Sequence, residues 1–386
     1  MRISSMRIRD LGYAPGQLQP GPQNSILDVK GVRVGQTTIH EGRDTHTGVT
    51  VILPRGPDEI RQKPCYAAIH KLNGMGEMTG AHQIEEIGTF NTPIALTNSI
   101  SVGKVYDAVY SWLFDLAKQN EESFEETFRN IGIPVVAETL DCILNDVTKS
   151  AVEKHHVYEA IDSALSNPPP PVLEGSHGGG TGMRCHGYKG GTGTSSRIVP
   201  GRSKEETFTV GVLVQANYGW QKDLQIGGVP VGRILSQKLP TKPVSSKMGE
   251  GSIIIVIITD APLLPHQLKR LAQRATLGLS QVAGHGAGRT YSGDIFLALS
   301  TGNVVDDELE TGMPGYLPTV ETFPTKSVKN ECIDGLFYAA AEATEEAILN
   351  ALVAAKDGLT GFMGHRAEGL PVDRVKELLE QYHVKT

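Results

Sequence analysis

Ser252 is the residue of this 386-residue chain whose surroundings most suggest chemistry. It follows Gly251 directly and precedes six apolar, β-branched residues, Ile253 to Ile258, within the segment KMGEGSIIIVIITDAP. A run of that composition is typical of a buried strand, which does not explain a glycine and a hydroxyl residue at its start. A serine hydroxyl is a weak nucleophile unless a base accepts its proton. The reactivity of Ser252 therefore depends on which base is available to it.

A cut between Gly251 and Ser252 would supply that base without a second side chain. Ser252 would then carry a free α-amine, whose reference pKa of about 7.7–8.0 leaves a useful neutral fraction at neutral pH. The Ser252 hydroxyl could make the cut itself by attacking the Gly251 carbonyl, giving an ester that water hydrolyses. Gly251 suits this step because a residue without Cβ tolerates strained backbone angles and leaves its carbonyl open to attack. The structural alternative is a turn at Gly249–Gly251 followed by a serine that only begins a strand.

Other common catalytic signatures are missing from the sequence. It contains no HExxH metalloprotease helix, no GxxxxGK[ST] phosphate loop and no GxSxG nucleophile elbow. The nearest approach to a dinucleotide-binding GxGxxG is GHGAGR at residues 284–289. Four cysteines form no CxxC pair, which argues against a zinc knuckle or a disulfide scaffold. We therefore expect neither a metal nor an organic cofactor.

Composition and charge argue against several classes of partner. The chain has a net charge of −7 at pH 7 and shows no basic run, which argues against nucleic acid as a partner. The N-terminal residues MRISSMRIRDLGYAPGQ lack the apolar stretch of a signal peptide, and no segment has the length and apolarity of a membrane-spanning helix. We therefore expect a cytoplasmic protein that binds neither nucleic acid nor membrane.

The elements that must position Ser252 follow from hydrophobic periodicity. Strands are predicted at 48–54, 65–71, 93–98, 208–217, 252–259 and 293–301. Helices are predicted at 105–119, 151–165, 265–282, 336–356 and 373–383.

Several of these strands follow one another without an intervening helix, which favours two packed sheets over a simple strand–helix alternation. The strand at 252–259 is apolar on both faces, so each face must be covered. The inner sheets of an α/β four-layer αββα sandwich provide that cover, and this is the predicted fold. The glycine-rich stretch at 178–193 has two interpretations: backbone N–H groups that cradle phosphate, or a tight loop passing close to the nucleophile.

The segment GEGSIIIVIITDAPLLPHQLKRLAQRATLGL resembles the start of the small subunit in the DmpA-type serine aminopeptidases, a family that includes L-aminopeptidase/D-amidase/D-esterase and β-aminopeptidase. The resemblance extends in order from about residue 25 to 360. It is carried by six further segments: LNGMGEMTG, PIALTNSISVG, GGGTGMRCHGYKGGTGTSSR, VLVQANYG, SGDIFLALST and ATEEAILNAL.

This resemblance implies a fold similar to the Ntn hydrolases but differently connected. It also implies one domain over residues 1–386, self-cleaved into a large subunit, 1–251, and a small subunit, 252–386. Several such pairs are expected to form a homo-oligomer, commonly a tetramer.

Three further site residues are implied by the family. Ser292 and Asp294, in YSGDIF, match its serine–acid pair beside the nucleophile, where a carboxylate could orient the amine and a hydroxyl could relay a proton. Asn217 matches an asparagine that donates to the developing oxyanion. The structural alternatives are a turn serine, a strand-start aspartate and an asparagine satisfying a local turn.

Glu138, in VVAETLDCILND, matches a glutamate thought to receive the free amino group of the substrate. Two neighbours depart from the family. Leu140 replaces an aromatic residue seen in some members, whose tyrosine hydroxyl has been assigned near the oxyanion, and leucine cannot donate a hydrogen bond. Cys142 stands where a glycine is common. We expect a reshaped pocket, so substrate preference is the least transferable property.

The resulting prediction is a self-processing N-terminal-serine aminopeptidase. It would release N-terminal residues from short peptides, amides or esters bearing a free amine, through an acyl-enzyme on Ser252. One alternative keeps the fold and the self-cleavage but acts on another amide, such as a pantetheine-like or biosynthetic intermediate. The other is a non-catalytic, oligomeric binding protein in which the motifs are only architectural.

Overall fold

The computed structural model describes residues 5–203, 205–238, 251–283, 290–305 and 320–383. The GHGAGR segment and Gly249, the start of the alternative turn, lie outside these residues. The strands are β1 (Arg33–Glu41), β2 (Thr45–Leu53), β3 (Cys65–Gly74), β4 (Thr89–Phe90), β5 (Ile94–Asn98), β6 (Val135–Thr139), β7 (Arg184–Cys185), β8 (Tyr188–Lys189), β9 (Gly191–Pro200), β10 (Thr207–Asn217), β11 (Ser252–Thr259), β12 (Gly293–Ser300), β13 (Leu359–Thr360) and β14 (Arg366–Ala367).

The helices vary from one turn to more than five turns in length. They are α1 (Pro57–Ile60), α2 (Ala81–Ile87), α3 (Val102–Gln119), α4 (Phe124–Arg129), α5 (Lys154–Leu165), α6 (Val231–Lys238), α7 (Pro265–Ala283), α8 (Asp334–Ala354) and α9 (Val372–Tyr382). None of the helices within the described ranges has the length and apolar character needed to cross a membrane.

Two large sheets form the centre of the molecule. One has four strands in the order β1-β2-β5-β6, in which β5 and β6 run parallel. The other has six strands in the order β4-β3-β12-β11-β10-β9. In this second sheet β11 and β12 run parallel, and the other neighbouring strands run antiparallel. β11 therefore lies in the interior of its sheet.

Alternate side chains of β11 enter two different cores. Ile254, Val256 and Ile258 pack between the two sheets, in the same core as Ile52 and Leu96 from the four-stranded sheet. The intervening isoleucines pack on the other face, against α7 and α8. Covering both faces removes apolar surface from water, which stabilises the fold by about 25 cal/mol for each Å² buried. The strand covered on both sides, predicted from its composition, is confirmed.

A third core lies beneath the helices of the four-stranded sheet. Val49 and Val51 of β2 pack there with Trp112 of α3 and Ile161 of α5. The layers therefore run from α3 and α5, through the four-stranded and six-stranded sheets, to α7 and α8. This order is the predicted four-layer αββα sandwich.

The six predicted strands and five predicted helices are all present, with ends that differ by a few residues. Among the elements that the sequence did not predict are β1, β6, β9 and α6. β9 begins inside the stretch 178–193 that was interpreted as a loop or a phosphate cradle. A Cβ on Gly193 would lie 1.9 Å from the Ala347 carbonyl oxygen. This glycine therefore lets α8 pack directly on the strand.

Candidate active site

The ends of three neighbouring strands bring the predicted site residues together. Ser252 is the first residue of β11, and Asn217, the last residue of β10, pairs directly with it. Because β12 runs parallel to β11, Asp294 lies beside Ile253 at the same end of the sheet. Ser292 immediately precedes β12. The three strands thus place these polar side chains at one edge because their start and end points coincide.

The Ser252 hydroxyl is buried and has a defined hydrogen-bond partner. It accepts a hydrogen bond from the Gly293 backbone N–H at 3.0 Å, and the residue is 7% exposed. The Ser292 hydroxyl lies within hydrogen-bond distance of the Gly251 carbonyl oxygen and 2.8 Å from Asp294 Oδ1. When the single proton of the Ser292 hydroxyl points at Gly251, this hydroxyl polarises the carbonyl that Ser252 would attack in a self-cleavage.

Asp294 is held by two donors and buried among apolar neighbours. Its Oδ2 accepts a hydrogen bond from Asn73 Nδ2 at 2.7 Å, and its Oδ1 lies beside the Ser292 hydroxyl. Burial raises the pKa of Asp294 to about 6, although the hydrogen bonds from Asn73 and Ser292 act in the opposite direction. A carboxyl that titrates in this range can exchange a proton with Ser292 near neutral pH.

The Asn217 side chain is oriented by two backbone groups. Its Oδ1 accepts from the Arg184 N–H at 2.8 Å, and its Nδ2 donates to the Leu140 carbonyl at 2.9 Å. The first bond fixes which end of the amide is the donor. An amide nitrogen carries two hydrogens, so one remains for an oxyanion beside Ser252.

Glu138 lies near the same edge but in the other sheet. Its Oε1 accepts from the Glu77 N–H at 3.0 Å, and its Oε2 accepts from the Ser99 hydroxyl. Burial raises the pKa of Glu138, and these two hydrogen bonds lower it again. A Cβ on Gly76 would lie 3.2 Å from Glu138 Oε1 and 3.2 Å from the Gly293 Cα. One glycine thus separates this carboxylate from the residue that binds the Ser252 hydroxyl.

Gly251 is required by space rather than by backbone angles. Its φ is not in the left-handed region, unlike that of many other glycines of the chain. A Cβ at this position would lie 1.7 Å from the Asn217 carbonyl oxygen. The strained angles expected from the sequence are therefore not the reason for the glycine. The reason is the close approach of β10.

Four contributors to the site were not given a function from the sequence. Ser99 and Gly293 donate to Glu138 and Ser252, respectively, and Asn73 donates to Asp294. Asn73 lies in one of the family segments, so the sequence marked its position but did not indicate its role. Ser99, Arg184 and Gly293 also lie in family segments, but the sequence does not indicate that the Arg184 and Gly293 N–H groups donate to the site, because backbone donors depend on how the chain packs.

Three exposed apolar side chains lie close in sequence to residues of the site. Met75, Ile100 and Leu140 are 61%, 53% and 44% exposed, respectively, and each lies within two residues of a group that contacts the site. Cys142, two residues after Leu140, is partly exposed. Over the described ranges, no group of three or more His, Cys, Asp or Glu residues is placed to hold a metal ion.

The profile of peptidase family S58 matches residues 24–367. The chain belongs to peptidase family S58. Beta-peptidyl aminopeptidase BapA of Sphingosinicella microcystinivorans is 43% identical to it over 394 residues, covering 97% of this chain and 92% of that protein. Among solved structures, the Burkholderia sp. beta-aminopeptidase has a TM-score of 0.85 and 44% identity, covering 99% of this chain and 100% of that one.

A further solved structure bears on the fold of this S58 peptidase. The L-aminopeptidase D-Ala-esterase/amidase of Ochrobactrum anthropi has a TM-score of 0.84 and 38% identity, covering 97% of this chain and 98% of that one. It is described as a prototype of the serine aminopeptidases and as a new variant of the Ntn hydrolase fold. The predicted family, fold and class of enzyme, a serine hydrolase of the aminopeptidase type, are thereby confirmed. None of these relatives supports the alternative of a non-catalytic binding protein.

Proposed function

We propose that this peptidase cuts its own chain between Gly251 and Ser252 and then uses Ser252 as an N-terminal nucleophile. One observation carries the proposal. The Ser292 hydroxyl contacts both the Gly251 carbonyl oxygen and Asp294, and the N–H of the next residue, Gly293, donates to the Ser252 hydroxyl at the same end of the sheet. The relatives described as aminopeptidases support the same assignment.

The first step is an intramolecular acyl transfer. The Ser252 hydroxyl oxygen attacks the Gly251 carbonyl carbon, the C–N bond breaks, and the hydroxyl proton passes to the departing Ser252 nitrogen. Water then hydrolyses the ester, leaving a carboxylate on Gly251 and a free amine and hydroxyl on Ser252. Ser292 donates to the carbonyl oxygen as negative charge develops there, and Asp294 holds Ser292 in place.

Turnover reuses the same groups on a second carbonyl. The Ser252 α-amine accepts the hydroxyl proton, and the substrate carbonyl becomes an acyl-enzyme with release of the leaving amine or alcohol. Asn217 Nδ2 donates to the oxyanion. Glu138 receives the cationic amine of the substrate, because only Gly76 separates its carboxylate from Gly293, the residue that donates to the Ser252 hydroxyl. Water resolves the acyl-enzyme.

The proposed substrates are short peptides, amides and esters with a free amine, β-amino acid residues among them. The exposed apolar side chains of Met75, Ile100 and Leu140, each within two residues of a site residue, support an apolar side chain on the released residue. Another amide, such as a pantetheine-like intermediate, remains the second candidate, because Leu140 and Cys142 depart from the family pattern. No observation favours it over peptides.

Assembly and location belong to the same proposal. We infer a homo-oligomer, specifically a tetramer of cleaved pairs. It is supported by exposed apolar surface such as the stacked rings of Phe124 and Phe128, which are 82% and 59% exposed. Four free cysteines support a reducing, cytoplasmic location. Native mass spectrometry tests the assembly, and a monomeric pair would overturn it.

Intact mass spectrometry of the purified protein and of Ser252→Ala tests the cut. We expect fragments 1–251 and 252–386 in the wild type and one uncut chain in the variant. Folded, uncut wild-type protein would remove the N-terminal amine from the mechanism. A second assay compares β-amino acid and α-amino acid amides with their N-acetylated forms. Complete cleavage without hydrolysis of any free-amine substrate would favour the other amide class.

A further inference from the structure

Arg184 lies at the edge of the site, and its cationic side chain has no partner within the part of the chain that the structure describes. Its backbone N–H donates to Asn217 Oδ1 at 2.8 Å. Across the described part of the chain, its guanidinium forms no hydrogen bond or ion pair, and its Nε is buried without a partner. Buried charges in proteins are normally paired, because leaving one unpaired is costly. The residue is only partly buried, so among the described residues Arg184 presents a cation that has no protein partner.

The guanidinium lies on the side of the loop that follows Glu138. Its positive charge acts on the Cys142 thiol, where it partly offsets the increase in thiol pKa caused by burial. The Leu140 carbonyl, in the same loop, accepts from Asn217 Nδ2. Asn217, this loop and the Arg184 side chain therefore form one corner of the site. Burial lowers the pKa of the guanidinium, as expected for a cation that is partly removed from water.

The chemistry of this corner suits a carboxylate. Arginine presents a planar fork of donors that binds a carboxylate through two parallel hydrogen bonds. In a dipeptide, the C-terminal carboxylate lies about one residue, roughly 4–5 Å, beyond the carbonyl that is attacked. That separation is within the reach of an arginine whose backbone is bonded to the oxyanion donor. Glu138 provides the opposite charge on the other side of the nucleophile.

We propose that Arg184 binds the C-terminal carboxylate of the leaving amino acid, so that the site recognises dipeptides by both ends. The substrate amine meets Glu138, and the substrate carboxylate meets Arg184. The inference rests on the proposed function, because it needs the scissile carbonyl beside Ser252. It assigns the preferred substrates to short peptides with free C-termini rather than to amides or esters.

The test compares a β-dipeptide with its C-terminal amide, using the self-cleaved protein. We expect the wild type to favour the free carboxylate by about ten- to hundredfold in kcat/KM, mainly through KM, as a charge-assisted pair would give. In Arg184→Met this ratio falls to about one, and Arg184→Lys retains part of it because the charge remains. The matched control Arg374→Met, on exposed α9, keeps the wild-type ratio.

Two results would overturn the inference. One is equal loss of activity on both substrates in Arg184→Met, which would mean that the residue acts only by supporting Asn217. The other is a wild type that hydrolyses the β-dipeptide and its C-terminal amide equally well. In that case, Arg184→Met would lower the melting temperature of the cleaved protein but not that of the uncut chain. That pattern would assign the guanidinium to the Gly251 carboxylate formed by the cut. Absence of hydrolysis of either substrate by the wild type would instead mark a failure of the proposed function.

Discussion

Asp294 is the residue whose ionisation should define the acidic limit of activity. Burial raises its pKa to about 6, and hydrogen bonds from Asn73 and Ser292 stabilise the carboxylate. Asn73→Ala removes one of these donors, so the pKa rises further and the carboxyl stays protonated to higher pH. We expect the acidic limb of the kcat/KM profile to move up by about one pH unit. A pH series from 5 to 9 measures it.

An acidic limb that stays at its wild-type position in Asn73→Ala would assign that limb to another group. Asn98→Ala provides a comparison, because Asn98 caps the turn before α3 and its amide donates to Thr47 rather than to Asp294. This second variant should lower stability without moving the limb.

Glu138 should determine the requirement for a free amine. Glu138→Gln keeps the size of the side chain and the partners Ser99 and Glu77 in place but removes the negative charge. We expect KM for a free-amine substrate to rise by about ten- to hundredfold, because a charge-assisted hydrogen bond is lost. Steady-state kinetics measure the change. An unchanged KM would mean that the amine binds elsewhere.

At the scale of elements, β9 and α8 are packed so closely that one added methyl group should destabilise the fold. A Cβ at Gly193 would lie 1.9 Å from the Ala347 carbonyl of α8. We expect Gly193→Ala to lower the free energy of unfolding by about 1–3 kcal/mol. Urea unfolding in a Ser252→Ala background measures this in a single uncut chain. The control is Gly103→Ala in α3, where a Cβ would contact nothing. This variant should raise the free energy of unfolding by about 0.5–1 kcal/mol.

Elements differ in how well their sequences predict them. β10 and β11 were predictable because apolar, β-branched residues reach both of their faces. β9 was not, because its residues GTGTSSRIVP are typical of a loop. Its hydroxyls are buried and bond far along the chain, Ser195 to Asn24 and Ser196 to Asp28. Local pattern contains no information about such partners.

The candidate site divides in the same way. Ser252 could be singled out because it stands at the start of a strong strand pattern, and the resemblance to the family added Asn217, Ser292, Asp294 and Glu138. The guanidinium of Arg184 could not, because its distinguishing property is that it forms no hydrogen bond or ion pair with any described residue. That property exists only once the chain is folded.

For the whole molecule, a buried ion network joins the N-terminal segment to the six-stranded sheet and α8. Arg197 of β9 is fully buried and pairs with Glu346 at 2.7 Å and with Glu342 at 3.1 Å. It also donates to the Pro15 carbonyl. Arg9 completes the network by pairing with Glu346. Segments far apart in the sequence are thus held by one arginine.

Arg197→Met should therefore destabilise the uncut chain strongly. Removing the cation leaves the buried Glu346 carboxylate and the partly exposed Glu342 carboxylate with less compensation, and breaking a buried pair typically lowers the free energy of unfolding by about 3–5 kcal/mol. Urea unfolding in the Ser252→Ala background measures the loss. Arg374→Met breaks an exposed pair with Glu377 and should change stability by less than about 0.5 kcal/mol. Similar losses in the two variants would contradict the importance of burial.

The position of β11 and β12 has a consequence for the lifetime of the enzyme. Both strands follow Ser252, and their outer neighbours in the sheet, β10 and β3, precede it. A cut before Ser252 therefore creates two chains interleaved strand by strand within one sheet. The precursor can refold as a single molecule at a rate independent of dilution, but the two halves must meet, so their refolding becomes second order. Maturation would make unfolding effectively irreversible, and the unfolding rate would set how long each molecule works.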